Sequence, residues 1–331
     1  MRKCIGASRE CLATVGGLSL RAAAQTRSHR MKAITFRSGP HTLAGNLHLP
    51  GDFSESRQHP TLVVVHPGGG VKEQTAGLYA AKLALDGFVA LAYDASFQGD
   101  SSGEPRHLED PSARVEDIRA AVDHLTTLPF VQRERIGVLG ICAGGGYAIN
   151  AAMTDSRLKA VGAVSAVNIG AMIRLGWDGN TAPAQTLGLR DAGAARRTAE
   201  QGGEAIASMP LAPTSPDPSL PPDLRDALDY YHTARAQHRN SPSKTPLRSL
   251  SQLVGYDAFH LAELLLTQPL QLVAGSKAGS LWHSQQVLER AASRDKRLHI
   301  VEGANHMDLY DGSRFVAEAL AKLVPFYREK L

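Results

Sequence analysis

The feature that most constrains this chain is a junction of about a dozen residues near its middle. Arg135-Ile-Gly-Val-Leu-Gly140 reads as a strand and runs without a linker into Ile141-Cys142-Ala143-Gly144-Gly145-Gly146 and a small-residue helix. The pattern Gly-x-Cys-x-Gly predicts a turn tight enough to force strained backbone angles on the central residue. Glycine stands two before and two after it because side chains there would collide. Such a turn presents the thiol at the head of a helix, where the macrodipole favours thiolate and is expected to lower the cysteine pKa. The plainer alternative is a structural cysteine beside a glycine-rich strand–helix turn. No Lys-Ser or Lys-Thr pair follows the glycines, so a phosphate-binding P-loop is excluded.

Around this junction, strand and helix patterns alternate. Residues 31–50 alternate apolar and polar positions and read as a leading hairpin. Residues 61–65 form a β-branched run of the kind buried on both faces of a parallel sheet, ending in His66-Pro67-Gly68-Gly69-Gly70. A helix over 75–85 closed by Gly87, a strand over 88–93 and a Gly- and Ser-rich loop over 94–107 follow. The next helix, 111–128, carries apolar residues at Val115, Ile118, Val122 and Leu125. Beyond the junction come a strand at 158–165 and, after a long interruption, a strand at 270–274, a helix at 284–292, a strand at 298–301 and a closing helix at 314–329. This rhythm predicts an α/β fold, a mostly parallel sheet with helices on both faces. The interruption starts near Asn168 and holds Pro-rich stretches and a polar helix at 223–235. A structureless loop of that length is improbable inside a compact domain, so a largely helical insertion over about 168–255 is expected above the carboxyl edge of the sheet.

The positive balance, 36 Lys and Arg against 32 Asp and Glu, is misleading. Residues 1–30 carry six basic residues against Glu10 alone, which leaves 30 basic and 31 acidic residues in the rest. The charge therefore belongs to a leader and does not describe a nucleic-acid surface. Composition of residues 1–30 suits a disordered tail, a mitochondrial presequence, or a start placed before a true one at Met31. The rest, residues 31–331, reads as one domain with its insertion. No apolar run reaches 18 residues, so no membrane span is expected. Two of three cysteines, Cys4 and Cys11, lie in the leader, leaving Cys142 alone in the body. With no disulfide framework, a reducing, cytoplasmic setting is expected.

Four stretches carry a family resemblance: His66-Pro-Gly-Gly-Gly70, Tyr93-Asp-Ala-Ser-Phe-Gln-Gly-Asp-Ser-Ser-Gly-Glu-Pro-Arg106, Gly140-Ile-Cys-Ala-Gly-Gly-Gly-Tyr147 and Val301-Glu-Gly-Ala-Asn-His306. The chain resembles the cysteine-type α/β hydrolases, which include the dienelactone hydrolases. It looks closer to the group of the fumagillin polyketide transferase and the brefeldin thiohydrolase. The resemblance implies an α/β-hydrolase fold with a helical lid. It also implies release or transfer of a polyketide or fatty acyl chain from a carrier thioester in secondary metabolism. Where dienelactone hydrolases keep a glutamate beside the nucleophile, Pro67 falls here, which argues against that lactonase.

On this frame Cys142 is the nucleophile and needs a base for its proton. His306 follows the last strand and precedes the last helix, as the fold requires; His283 and His66 are weaker rivals. Oxyanion donors are expected from the N–H of Ala143 and from the backbone at Gly68 and Gly69, in a stretch like the His-Gly-Gly-Gly motif of lipases. The acid is missing. After residue 274 the chain reads Gly275-Ser-Lys-Ala-Gly279-Ser280, and after the preceding strand it offers Ser165 and Asn168. Asp94, Glu302 and Asp308 remain as candidates, with Asp94 the tentative third member, although it could equally hold its own loop by turn hydrogen bonds. Glu104 and Arg106 read more readily as a loop salt bridge than as a carboxylate-binding pair. No cofactor, metal, nucleic acid or membrane is expected. The partners are a small acyl substrate and, by the resemblance, an acyl carrier domain of a polyketide synthase. A thiohydrolase or acyltransferase is the reading adopted. A small-molecule carboxylesterase or lactonase, and a catalytically silent binding protein on the same scaffold, stand as alternatives.

Overall fold

Strand-forming segments rich in Val, Ile and Leu pair here by burying both faces, and the order in which they do so positions everything else. The computed structural model describes residues 29–182 and 184–331. Strands β1 (His29–Ser38) and β2 (His41–Pro50) make the leading hairpin, closed by the two residues Gly39 and Pro40. There follow β3 (His59–Val65), α1 (Thr75–Leu85), β4 (Val89–Tyr93), α2 (Pro111–Thr126), β5 (Val131–Ile141), α3 (Ala143–Thr154) and β6 (Leu158–Val164). The insertion holds α4 (Ile169–Leu175), α5 (Gln185–Gln201), β7 (Ser208–Pro210), α6 (Pro222–His232), β8 (Lys244–Pro246), α7 (Leu250–Leu253) and α8 (Ala262–Leu265). The core resumes with β9 (Leu270–Gly275), α9 (Leu281–Arg290), β10 (Lys296–Val301), α10 (Asp308–Asp311) and α11 (Ser313–Lys330).

The main sheet has eight strands in the order β1-β2-β4-β3-β5-β6-β9-β10, antiparallel at the β1–β2 and β2–β4 pairs and parallel thereafter. The α/β fold with helices on both faces and a helical insertion is the one the sequence predicts. Apolar faces of α2 and α3, with Ile118, Val122, Leu125 and Ile149, pack on one side of the sheet. Tyr79 and Leu83 of α1 and Leu320, Leu323 and Tyr327 of α11 cover the other. Helix α2 starts where its residues dictate, with Pro111 in the first turn and the Asp110 carboxylate accepting from the N–H groups of Ser112 and Ala113.

From β3 the chain steps to β4 on one side and then returns to place β5 on the other, so the strand order reverses between β3 and β5. Val65 pairs with Gly140 across that gap, which puts both the His66 loop and the Cys142 turn at the carboxyl ends of the two strands. Open parallel sheets bind ligands at such a reversal.

Two details differ from the sequence reading. Among the described residues, sheet pairing already includes His29 and Arg30, before the expected boundary at residue 31. The tail, presequence and early-start readings of the leader concern residues that otherwise lie outside those described. The insertion also contains the long helix α5 and a β7–β8 ribbon that periodicity did not reveal, and it is pinned at both ends by one residue. Asn168 caps α4, accepts from Ala258 N–H at 3.1 Å and donates to Asp257 Oδ1 at 2.6 Å. Among the described residues, no helix is long and apolar enough to cross a membrane.

Two core histidines, His48 and His283, are buried with neither ring nitrogen hydrogen-bonded. Burial lowers the His48 pKa to about 4 and that of His283 to about 3. Both are neutral in the native protein, whereas an unfolded histidine takes up its proton near ~6.5. Between those values the unfolded state binds more protons, so stability rises with pH and is lost as pH falls from about 6.5 towards 4. Replacement of His283 by Leu is expected to flatten that slope by up to ~1.4 kcal/mol per pH unit, read from urea midpoints between pH 4.5 and 7.

Candidate active site

The Gly-x-Cys-x-Gly stretch forms the strained turn its glycines require. Cys142 sits at φ 54° and ψ −124°, between the end of β5 and the start of α3. A conformation of this kind costs on the order of 1–3 kcal/mol and persists only where the surroundings impose it. Here they do: Cys142 N–H donates to Val164 O at 3.0 Å, and Cys142 O accepts from Val167 N–H and Gly145 N–H at 2.9 Å each. A Cβ on Gly140 would run into the carbonyl of Gly144, and one on Gly144 into the carbonyls of Val65 and His66. Only bare backbone fits at both positions.

The half-buried Cys142 lies in the wall of a pocket with an empty volume of about 540 Å³. Gly68, Ala143 and His306 come from the sheet edge, while Ile169, Met172, Trp177, Leu211 and Leu224 come from the insertion and make the rest of the wall mostly apolar. The structure thus brings Cys142, His306, Ala143 and Gly68 to one cavity. Ala143 begins α3, so its N–H is outside the helical ladder, and it donates to the thiol. Gly69 is not part of the pocket wall. It takes a left-handed φ of 67°, packs against Leu211 and Ser243, and its carbonyl accepts from Ser241 Oγ at 2.6 Å. Of the two glycines expected as oxyanion donors, Gly68 lines the pocket and Gly69 does not.

His306 is buried, and its ring is fixed on several sides. Ser280 Oγ lies 2.6 Å from Nδ1, the Tyr310 hydroxyl lies 3.4 Å from Nε2, and the Trp177 indole stands edge-on with ring centroids 4.8 Å apart. Tyr310 also hydrogen-bonds the Cys142 thiol, so one phenol touches both the thiol and the imidazole. Burial lowers the His306 pKa to about 4, with the nearby Asp223 carboxylate working in the opposite direction. Burial also pushes the Cys142 thiol up, against hydrogen bonds from Tyr310 and Ala143. The lowered thiol pKa expected at a helix N-terminus is therefore not what the structure gives, because loss of water outweighs these two hydrogen bonds. At neutral pH both partners are uncharged.

The tentative third member is corrected. Asp94 is fully buried, but its carboxylate accepts from Lys72 Nζ at 2.8 Å, Lys72 N–H at 2.7 Å and Asp100 N–H at 2.9 Å. It fastens the 94–100 loop, and the oxygen facing Nδ1 of His306 belongs to Ser280. A carboxylate can only accept and so dictates which nitrogen carries the proton; a hydroxyl accepts in one tautomer and donates in the other. Asp308 caps the turn at Asn305, with its Oδ2 2.8 Å from that N–H, and Glu302 is exposed. Among the weaker bases, His66 is a structural histidine: Nδ1–H donates to its neighbour Pro67 O at 2.7 Å and Nε2 accepts from Ala95 N–H at 3.1 Å. Arg106 ties its own loop, donating to Gly99 O at 2.6 Å and to Ser101 O at 2.5 Å, while Glu104 accepts from Arg106 N–H.

Sequence reasoning missed four contributors. Ser280 closes the stretch 275–280, in which the sequence offers Gly279 or Ala278 where an acid is expected. Tyr310 lies four residues beyond His306, in the short helix α10 that follows the histidine turn. Asp223, on α6, accepts from His306 N–H at 2.7 Å, Gly279 N–H at 2.6 Å and Trp177 Nε1 at 2.9 Å, and nothing in its neighbourhood in sequence signals this. Arg114, wholly buried in α2, donates to His66 O at 2.6 Å and lies over the Tyr147 ring at 4.9 Å. Its counter-charge is Glu109, 3.7 Å away, which also accepts from Tyr147 OH at 2.7 Å. This buried pair fixes the loop that carries Gly68.

The Alpha/beta hydrolase family matches residues 62–319 of the chain. An uncharacterised Escherichia coli protein, YcjY, is 54% identical over 290 residues, covering 88% of this chain and 95% of that protein. The crystal structure of the hypothetical protein PA2218 from Pseudomonas aeruginosa superposes with a TM-score of 0.84 at 31% identity, over 93% of this chain and 95% of that one. A thiohydrolase of Eupenicillium brefeldianum is 26% identical over 296 residues, covering 86% of this chain and 91% of that protein. The chain belongs to the alpha/beta hydrolase family and is a hydrolase or acyltransferase enzyme.

Proposed function

We propose that this enzyme is a thiohydrolase or acyltransferase in which Cys142 takes the acyl group of a thioester and His306 moves the protons. The observation that carries the reading is the strained Cys142 over an apolar pocket, joined to the His306 imidazole by the Tyr310 hydroxyl. As the sulfur of Cys142 bonds to the acyl carbon, its proton passes to Nε2, and the carbonyl oxygen gathers charge opposite Ala143 N–H and the Gly68 backbone. The imidazolium then protonates the departing thiolate, which leaves as the free thiol. Water or an alcohol then attacks the acyl-enzyme and gives its proton to Nε2, and the imidazolium passes that proton to the leaving Cys142 sulfur, restoring the neutral thiol and imidazole.

Two considerations favour a thioester over an ester or an amide. Exchange of one thiol for another is nearly thermoneutral, and a thiol leaves with little help from an acid. A weakly basic imidazole with a serine at Nδ1 suits that undemanding step. The likeness to the E. brefeldianum thiohydrolase points the same way. An apolar wall built from the insertion suits a fatty or polyketide acyl chain, and a carrier-bound chain of secondary metabolism is the substrate the sequence resemblance suggests.

Three outcomes test this reading. Cys142→Ala is expected to abolish turnover of acyl thioesters and the acyl adduct seen by intact mass, while Cys142→Ser keeps a small remnant; wild-type rates in the alanine variant, or no adduct on the native enzyme, would remove the scheme. The acid limb of kcat/KM is expected near pH 4 rather than near 6.5, because only the neutral imidazole accepts a proton. Ser280→Ala is expected to cost about tenfold or less in kcat, far below the ~10⁴-fold that follows loss of a triad carboxylate's function, since a hydroxyl holds no charge.

A further inference from the structure

In the proposed reaction His306 carries a positive charge for part of every cycle, and among the described residues no carboxylate is hydrogen-bonded to its ring. A buried negative charge is nonetheless beside it. Asp223 lies in the first turn of α6, whose N-terminus favours a carboxylate, and it is 2% exposed. All three hydrogen bonds it accepts serve the site: His306 N–H, Gly279 N–H next to Ser280, and the indole of Trp177, which covers the imidazole. Two further bonds seat the same segment. Asp226 Oδ2 accepts from Asn305 Nδ2 at 2.6 Å, and Arg235 pairs with Asp311 at 2.6 Å.

We propose that Asp223, supplied by the insertion, does the electrostatic work of the absent triad acid: through the main chain it stabilises the His306 imidazolium, so the base is competent only while α6 is seated. This rests on the assignment of Cys142 and His306 made above. Asp223 is a positioning residue, since it reaches no reacting atom. The other ionisable groups around His306 are Cys142 at the elbow, Tyr310 on α10, His283 on α9, and Asp226 and Asp308 beside Asn305. His283 is neutral, and Asp226 and Asp308 are engaged with Asn305, which leaves Asp223 as the carboxylate bonded to His306 itself.

The sign of one effect tests the idea without any acyl substrate. Alkylation of Cys142 by iodoacetamide requires the thiolate, which forms here as His306 takes the proton. Removing a negative charge that acted directly on the thiol would ease its ionisation and speed alkylation. If Asp223 acts through His306, Asp223→Asn is expected to slow alkylation at pH 7 about tenfold, one pKa unit, and to have no such effect in an His306→Ala background. Asp223→Glu, which keeps the charge, is expected to stay within about threefold of wild type. Unchanged or faster alkylation in the Asn variant, or an equal slowing without His306, would overturn the proposal. Should the Asn variant fail to fold, a tenfold or greater loss in the Glu variant would overturn it, and a rate within threefold that still depends on His306 would support it. An acyl thioester offered to the native enzyme separates the two readings: no adduct, with the alkylation pattern intact, would sink the thioester function and leave the role of Asp223 standing.

Discussion

One backbone conformation organises this molecule. Cys142 can hold φ 54° only because its N–H is bound to β6 and its carbonyl to Gly145 and Val167. Those bonds require β5 and β6 to pair in register through Ile141 and Val164. They also require Gly140 and Gly144 to lack side chains, since α3 approaches β3 and β5 at backbone distance. The elbow is therefore a property of the whole central sheet. Every other member of the site is placed relative to it: Gly68 from the neighbouring strand across the order reversal, and His306 from the loop after β10.

Burial sets the chemical character of the site. Insertion residues and Tyr310 exclude water from a thiol and an imidazole that would sit closer to neutrality in the open. Each is driven to its uncharged form, the thiol by a raised pKa and the imidazole by a lowered one. A preformed thiolate–imidazolium pair, which a cysteine at a helix head suggests, would need charge that this pocket does not support at rest. In the proposed reaction, charge separation is deferred to the moment of acyl transfer, when fixed donors meet it without reorganising. The arrangement favours reactions that ask little of the base.

Much of the scaffold was legible in the sequence because its signals are local. Glycines around Cys142 report a turn, β-branched runs report buried parallel strands, and Asp110-Pro111 reports the start of α2. The same locality explains the misses. Helix α5 has one buried residue, Gly193, and so presents little apolar periodicity to read. Asp94 lies at the end of a strand, where acids often serve triads, yet Lys72 claims it. That pairing depends on a turn more than twenty residues away. Ser280 occupies the spatial place of the acid while breaking the residue-type rule. Asp223 lies more than fifty residues before Ser280 and eighty before His306 in a segment without pattern. Only the folded chain brings the three together.

The insertion consequently does more than shape the pocket. In a conventional triad the acid, base and nucleophile all stand on the sheet, and a lid governs only access. Here Trp177 and Asp223 reach from the insertion to the imidazole and its main chain, while Asp226 and Arg235 anchor the same segment to Asn305 and Asp311. Separating α6 from the sheet would hydrate His306 and remove its nearest negative charge in one step. These changes oppose each other on the resting imidazole, since water raises its pKa and loss of the carboxylate lowers it. Both, however, dismantle the dry, preorganised setting in which transferred charge is stabilised. Under the proposed roles of His306 and Asp223, seating of the segment that lines the pocket is coupled physically to the competence of the base.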